Sequence, residues 1–120
     1  MTTLEKLEKA AQENNSLLCL GLDPDINRFD TSMGMFKTTL EWIDQTKDLV
    51  AAYKANLAFW MDDLDYLEHI VAHIHSVSNA PVILDAKYGD IGNTAKKYAQ
   101  WAYHRMNVDA VTINGFMGDE

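Results

Sequence analysis

Residues 82–94 decide the fold and read Val82-Ile83-Leu84-Asp85-Ala86-Lys87-Tyr88-Gly89-Asp90-Ile91-Gly92-Asn93-Thr94. The stretch opens with an apolar run that is too short for a helix and ends at charged residues and a glycine, which predicts a buried strand from Val82 to Asp85. After this strand in the sequence, a helix is predicted from residues spaced so that they share one helical face, namely Thr94, Ala95, Tyr98, Ala102 and Met106. One strand followed by one helix is therefore the unit from which the fold is built.

The same unit recurs on both sides of this stretch. Further strands are predicted at Leu17 to Leu22, Ala51 to Asn56 and Asp109 to Asn114. Apolar residues at helical spacing predict helices over Thr3 to Asn14, Phe36 to about Val50, and Leu64 to Val77. Strand starts about 30 residues apart are typical of βαβ units, so we expect a parallel sheet with right-handed crossovers.

Four such strands form either a small doubly wound sheet or half of an eight-stranded barrel. Period-2 alternation places polar residues on one face at the end of every strand, namely Asp23, Lys54 with Asn56, Asp85 with Lys87, and Thr112 with Asn114. Polar residues at the end of every strand favour a barrel, because a barrel forms its active site from the carboxyl ends of its strands, whereas a doubly wound sheet binds its ligand at one switch point. We therefore predict an α/β fold in which residues 1–120 are a single partial domain: four βα units, the N-terminal half of a TIM (β/α)8 barrel, ending after strand 4.

Composition excludes several classes of partner. With 18 acidic and 10 basic residues the net charge is −8, which disfavours nucleic acid and anionic membrane surfaces. The N-terminus has no apolar signal segment, and no run approaches the roughly 20 residues of a membrane span, so we expect a cytoplasmic protein. Cys19, the only cysteine, lies within an apolar run and is expected to be a small buried residue.

The charged residues after strand 3 are the candidate site. Asp85 and Asp90 flank Lys87 in sequence, and Lys54 lies on the same predicted face. Two carboxylates near one amine would keep Lys87 protonated and ready to donate a proton. The alternative is a salt-bridged strand end at the surface. An alternating row of charges stabilises a fold weakly, which favours a functional reason for it.

Four segments at the ends of the predicted strands form an ordered set. They are Gly21-Leu22-Asp23-Pro24-Asp25, Tyr53-Lys54-Ala55-Asn56-Leu57-Ala58-Phe59, residues 85–95, and Asp109-Ala110-Val111-Thr112-Ile113-Asn114 with Met117-Gly118. In this order they resemble successive motifs of the orotidine 5′-phosphate decarboxylase family. The Asp-x-Lys-x-x-Asp core alone is shared with sugar-phosphate aldolases and decarboxylases of the same suprafamily. The resemblance runs from about residue 17 to the end of the chain.

The resemblance implies a charged tetrad of Lys54, Asp85, Lys87 and Asp90. Lys87 would protonate the C6 carbanion left when carbon dioxide departs from orotidine 5′-phosphate, giving UMP, and Asp85 would lie against the substrate carboxylate. No metal and no organic cofactor are implied.

The resemblance also implies a set of substrate-binding residues, namely Asp23, Lys54, Ile91, Thr94 and Asn114. Asp23 and Lys54 would contact the ribose. In the family's homodimer, Asp90, Ile91 and Thr94 would reach into the neighbouring subunit's site.

The chain departs from the family in two ways. A complete barrel takes about 250 residues, with its phosphate site commonly in the loops after strands 7 and 8. We therefore expect the phosphate-binding residues to lie beyond Glu120, and the 120-residue chain alone to be inactive or nearly so. Gly115 stands where the family usually has proline, which would loosen the backbone after strand 4.

Two other functions remain open. An open half-barrel exposes strand edges and an apolar inner face, so the chain is alternatively a non-catalytic, self-associating half-barrel. A related sugar-phosphate lyase would require a divalent metal. His69 and His73 have the spacing of a two-histidine metal site, but they lie opposite Val71, and a solvated helix face is the expected reading.

Overall fold

A computed structural model describes residues 1–118 of the chain. Its single parallel sheet has the order β1-β2-β3-β4, with strands β1 Cys19–Gly21, β2 Ala52–Asn56, β3 Val82–Tyr88 and β4 Ala110–Ile113. Each strand pairs with the next one along the chain, so the sheet has no reversal of strand order. A doubly wound sheet has such a reversal, whereas a barrel does not. The predicted parallel α/β architecture is confirmed.

Helices connect the strands. They are α1 Thr3–Glu13, α2 Ser32–Thr46, α3 Leu64–Val77 and α4 Gly92–Gln100, which continues into a π-helical turn at Trp101–Arg105. Short 3-10 turns span Ile26–Arg28, Leu57–Trp60 and Gly115–Met117. At the start of α1, Thr2 and Glu5 form a capping box, which satisfies two backbone N–H groups at the helix N-terminus.

The core lies between the helices and one face of the sheet. On β2 and β3 this face carries the buried residues Tyr53, Ala55, Val82 and Leu84. They form one cluster with buried helix residues that include Met35, Ile43, Leu67, Ile70 and Ile74. Each large side chain buried in this way stabilises the fold by about 1.5–3 kcal/mol. None of the helices within residues 1–118 combines the length and apolar character needed to cross a membrane.

The bottom of the sheet, where the strands begin, is held together by Asp109. Its carboxylate accepts hydrogen bonds from Lys6 of α1, from His75 of α3 at 2.9 Å, and from the backbone N–H of Val82 at 2.8 Å. Thr3 also donates to the Asp109 carbonyl. These contacts join α1, α3 and β3 to the start of β4.

Both predicted ends of the second helix are wrong. Helix α2 begins at Ser32 because the Thr31 hydroxyl caps it by accepting from the Gly34 N–H, and it ends at Thr46 rather than near Val50. The Asn14 side chain donates to the Val50 carbonyl, which ties the segment before β2 to α1.

The first strand is buried only in part. Leu22 at its end is fully buried and Leu20 packs against the core, but the other predicted burial is wrong. Leu17 is 95% exposed and Leu18 51% exposed, and Cys19 is exposed as well. β1 is the edge of the sheet, and Cys19 lies on the face away from the helices. An apolar run therefore identified the strand but not its burial.

Candidate active site

The polar ends of the strands meet on the face of the sheet that points away from the helices, which we call the inner face. It carries Lys54 on β2, Asp85 on β3 and Thr112 on β4. Asn56 is paired in register with Asp85, so β2 and β3 end at the same level. The alternation of the strands thus brings the predicted charged residues together.

Asp85 is the centre of the site. It is 7% exposed, and its Oδ1 accepts from Lys87 Nζ at 2.8 Å and from the Thr112 hydroxyl at 2.7 Å. Its Oδ2 lies 3.5 Å from Lys54 Nζ. The hydrogen bond from Lys87, followed by that from Thr112, lowers the pKa of Asp85 to about 2. A charged carboxylate is therefore held at the open face of the sheet.

Lys87 has a backbone conformation that is uncommon for a residue with a side chain. Its φ is 52°, in the left-handed region. The residue lies in an irregular part of β3, between the Leu84–Val111 and Tyr88–Ile113 pairs. Residues other than glycine rarely keep this backbone conformation unless the surrounding structure fixes it, and such residues cluster at functional sites. The Lys87 side chain is 69% exposed, so its ammonium group is accessible from the inner face.

Asp90 does not join this cluster. Its Oδ1 accepts from the backbone N–H of Ile91 at 2.7 Å, and within residues 1–118 no basic side chain lies within 4.0 Å of its carboxylate. Within one chain the structure brings Asp85, and not Asp90, into contact with Lys87. Spacing in sequence does not fix distance across an irregular strand. The expectation that Asp90 belongs to the neighbouring subunit's site stays a prediction. Ile91 is 58% exposed, and Thr94 lies in the first turn of α4.

The other two predicted binding residues have structural partners. Asp23 accepts from the backbone N–H of Asn56 at 2.9 Å, and Asn114 accepts from the N–H of Phe116 at 3.0 Å. Both side chains are exposed at the strand ends. Asn114 caps a 3-10 turn that begins at Gly115. The expectation that Gly115 loosens the backbone here stays a prediction.

Gly89 was not predicted as a site residue. A Cβ atom at this position would lie 3.2 Å from the Asn114 carbonyl oxygen, closer than ordinary contacts. Glycine therefore allows the end of β3 to approach the end of β4. Its position directly after the charged end of β3 is the sequence feature that could have identified Gly89 as a site residue.

A cleft of about 620 Å³ lies beside the charged cluster, between α4 and the end of β4. Its lining includes Asp90 and Asn114 together with the apolar residues Tyr88, Tyr98, Val111, Ile113 and Met117. Lys54, Asp85 and Lys87 are not part of the lining. The cleft is therefore adjacent to the charged cluster and distinct from it.

The two histidines on α3 have other partners. His73 is half-buried, and its Nε2 lies 2.7 Å from Asp44 Oδ1 on α2, while His69 Nδ1 lies 2.7 Å from the Asp65 carbonyl. The expected solvated face is thus wrong for His73. In the described part of the chain, no three His, Cys, Asp or Glu side chains are grouped as metal ligands would be.

Comparison with known proteins adds independent evidence. The model of the Orotidine 5'-phosphate decarboxylase / HUMPS family matches residues 16–120. The orotidine 5'-phosphate decarboxylase of Dechloromonas aromatica (strain RCB) is 44% identical over 126 residues, covering 98% of this chain. The chain spans 47% of the length of that relative.

Solved structures agree with the sequence relatives. A Toxoplasma gondii protein, assigned by name as an orotidine-monophosphate decarboxylase, superimposes with a TM-score of 0.91 at 34% identity, covering 99% of this chain and 42% of that chain. The Leishmania donovani OMP decarboxylase superimposes with a TM-score of 0.85 at 33% identity, covering 98% of this chain and 46% of that chain. The predicted fold is confirmed as one part of a TIM barrel. On the strength of the family model and these relatives, the chain belongs to the orotidine 5′-phosphate decarboxylase family.

Proposed function

We propose that residues 1–120 are the first half of a barrel domain that converts orotidine 5′-phosphate to UMP and carbon dioxide. The observation that carries this proposal is the cluster of Lys54, Asp85 and Lys87 on the inner face, with one ionised carboxylate between two amines. Two relatives that are 44% identical to this chain are named orotidine 5'-phosphate decarboxylase. The expectation of a cytoplasmic location stays a prediction.

In the proposed reaction, Asp85 and Lys87 act on the substrate bond between C6 and its carboxylate, Asp85 at the carboxylate and Lys87 at C6. The carboxylate of Asp85 lies against the substrate carboxylate, and their repulsion is relieved when the C6–carboxyl bond breaks and carbon dioxide leaves. The bonding electron pair stays on C6, and Lys87 Nζ transfers a proton to it. The amine regains its proton from water. No redox step or cofactor is required for this balance.

Electrostatic repulsion supplies only part of the acceleration. Two charges about 4 Å apart at an effective dielectric of about 20 interact by about 4 kcal/mol, which is about three decades in rate. Enzymes of slow reactions lower barriers by about 20 kcal/mol. The remainder is assigned to binding of the ribose and phosphate. Asp23 and Lys54 are the proposed ribose contacts in this half, Asn114 is a further proposed substrate contact, and the phosphate contacts are proposed to lie in the other half.

The position of Asp90 supports a site shared between two subunits. Its carboxylate has no cation partner among residues 1–118, and Ile91 beside it is exposed. We therefore propose a homodimer in which Asp90, Ile91 and Thr94 complete the neighbouring site. In a complete barrel that contains residues 1–120, mixing a Lys87→Ala subunit with an Asp90→Asn subunit should then restore about a quarter of full activity, because half of the dimers regain one intact site. Absence of any restored activity would contradict a shared site.

A non-catalytic half-barrel is the second candidate function. Large apolar side chains are exposed at both edges of the sheet, including Leu17 at 95% and Phe116 at 91%. Exposed apolar edges of this kind favour self-association. Light scattering at micromolar concentration tests it, and a monomer would count against it.

The enzymatic proposal is tested in a chimera in which residues 1–120 replace the matching half of the Dechloromonas aromatica relative. We expect the chimera to consume orotidine 5′-phosphate, which is measured as the decrease in the absorbance of this substrate. Lys87→Ala should reduce the rate of consumption by at least about a thousandfold. Lys37→Ala, which removes an exposed lysine on α2, is the matched control. Undiminished activity of the Lys87→Ala chimera would refute the proposal.

A further inference from the structure

We propose that Thr112 is a positioning residue whose hydroxyl fixes both the carboxylate of Asp85 and the backbone of Lys87. The inference rests on the proposed function, since it concerns the two groups to which the reaction is assigned. Thr112 itself is not assigned any contact with substrate. It lies on β4, on the inner face, one strand away from both residues.

The three residues form a closed ring of hydrogen bonds. The backbone N–H of Lys87 donates to the Thr112 hydroxyl oxygen at 3.0 Å, and that hydroxyl donates its proton to Asp85 Oδ1 at 2.7 Å. The same Oδ1 accepts from Lys87 Nζ at 2.8 Å. A hydroxyl has one proton to donate and two lone pairs to accept, and here it does both. Lys87 is thus connected to Asp85 at both its backbone and its side-chain end.

The irregular pairing of β3 with β4 explains why a hydroxyl is needed. Leu84 pairs with Val111 and Tyr88 with Ile113, so three residues of β3 lie opposite Thr112 alone. In such a bulge the extra residues lose their places in the backbone ladder. The Thr112 hydroxyl takes the place of a ladder carbonyl for the Lys87 N–H. It thereby supports the left-handed backbone of Lys87, with φ 52°.

Two substitutions separate the hydroxyl from the shape of the side chain. Thr112→Val keeps the branched shape and removes the hydroxyl, leaving the Lys87 N–H without its acceptor and Asp85 with one donor fewer. Thr112→Ser keeps the hydroxyl and removes a methyl group. A purely structural role in packing predicts that Ser is the more harmful change, whereas the positioning role predicts that Val is.

The first measurement is made on the chain itself by NMR. Thr112→Val should raise the pKa of the Asp85 carboxyl by about one unit and accelerate exchange of the Lys87 amide proton by about tenfold or more. Thr112→Ser should leave both values close to those of the unmodified chain. Unchanged values in Thr112→Val, or equal changes in the two variants, would overturn the proposal.

A second measurement needs no variant to fold. In the unmodified chain the Thr112 hydroxyl proton should exchange slowly and show a nuclear Overhauser effect to the Lys87 amide proton. Rapid exchange of this hydroxyl without such an effect would equally overturn the proposal.

The kinetic measurement uses the chimera with the Dechloromonas relative. Thr112→Val should lower kcat by at least about tenfold with little change in KM, and Thr112→Ser should recover most of that loss, because misplaced reacting groups slow the chemical step. A change in KM with an unchanged kcat would contradict the positioning role. The NMR results do not depend on decarboxylation, so an inactive chimera with the expected NMR changes refutes the proposed function and leaves the role of Thr112 standing.

Discussion

Lys54 Nζ lies 3.5 Å from Asp85 Oδ2, across the boundary between β2 and β3. The other oxygen of the same carboxylate receives Lys87, so Asp85 lies between ammonium groups from two strands. Such an arrangement keeps the carboxylate charged even though it is almost fully buried. Its charge is therefore linked to the stability of the fold as well as to the proposed reaction.

Asp85 should contribute to stability in a defined pH range. Its pKa is lowered from 3.8 to about 2, so its contribution is fully present above about pH 3.8 and is lost as the pH falls through about 2. Asp85→Asn should remove this part of the pH dependence. The check is urea unfolding between pH 2 and 7, with Asp62→Asn on the exposed surface as the control; identical pH profiles for Asp85→Asn and the unmodified chain would contradict it.

Asp109 should be the most important acidic residue for stability at the bottom of the sheet. Partial burial acts to raise its pKa, but hydrogen bonds from His75, Lys6 and the Val82 N–H outweigh burial and hold the pKa of Asp109 well below its usual range. Asp109→Asn removes the charge that these donors share. We expect a loss of about 2 kcal/mol in the free energy of unfolding, measured in urea at pH 7.

The same variant has a pH signature. Because the pKa of Asp109 is lowered in the folded state, its stabilising effect is present above the ordinary aspartate range and declines in strong acid. The difference between Asp109→Asn and the unmodified chain should therefore shrink as the pH falls below about 4. Asp48→Asn, at an exposed position before β2, should show neither effect. A constant difference at all pH values would show that the charge is not the cause.

Sequence alone predicted the elements that depend on local patterns. The helical spacing of Leu67, Ile70 and Ile74 gave α3 within its observed bounds, because these side chains face one core. Strand alternation also placed Lys54 and Asp85 on one face. These predictions succeeded because the spacing of the residues in sequence matches the face of each helix or strand on which they lie.

The features that sequence could not predict depend on partners far away in the chain. The bulge at Lys87 is supported by Thr112, 25 residues later, so nothing in residues 82–94 alone indicates it. Cys19 is exposed because it lies on the open face of the edge strand β1, which its apolar neighbours in sequence do not reveal.

The left-handed backbone at Lys87 predicts an unusual order of stability among its variants. Lys87→Gly should be more stable than Lys87→Ala by about 1 kcal/mol, because glycine adopts a φ of 52° without the steric penalty of a Cβ atom. Both variants lose the amine, so the difference reports the backbone alone. Lys97 in α4 is the matched control, and there glycine should be less stable than alanine by about 1 kcal/mol. Thermal unfolding of the four variants gives both differences, and the same order at the two positions would exclude strain at Lys87.

Gly115→Pro should stabilise the end of β4. Gly115 is the first residue of a 3-10 turn, a position that proline favours, and Asn114 before it has φ −103° and ψ 116°, which a following proline tolerates. A Cβ atom at this position meets no heavy atom of the described chain within 4 Å. Because proline restricts the unfolded chain, we expect a gain of about 0.4–1 kcal/mol in the free energy of unfolding.

The matched control for Gly115→Pro is Gly118→Pro. Gly118 has φ 116°, which proline cannot adopt, and its N–H donates to the Gly115 carbonyl at 3.2 Å. Proline should therefore destabilise the chain at 118 and stabilise it at 115, as measured by urea unfolding. If Gly115→Pro lowered stability instead, the glycine would be required by the conformation of this turn. In that case the departure from the family's usual proline would reflect a different backbone path after β4.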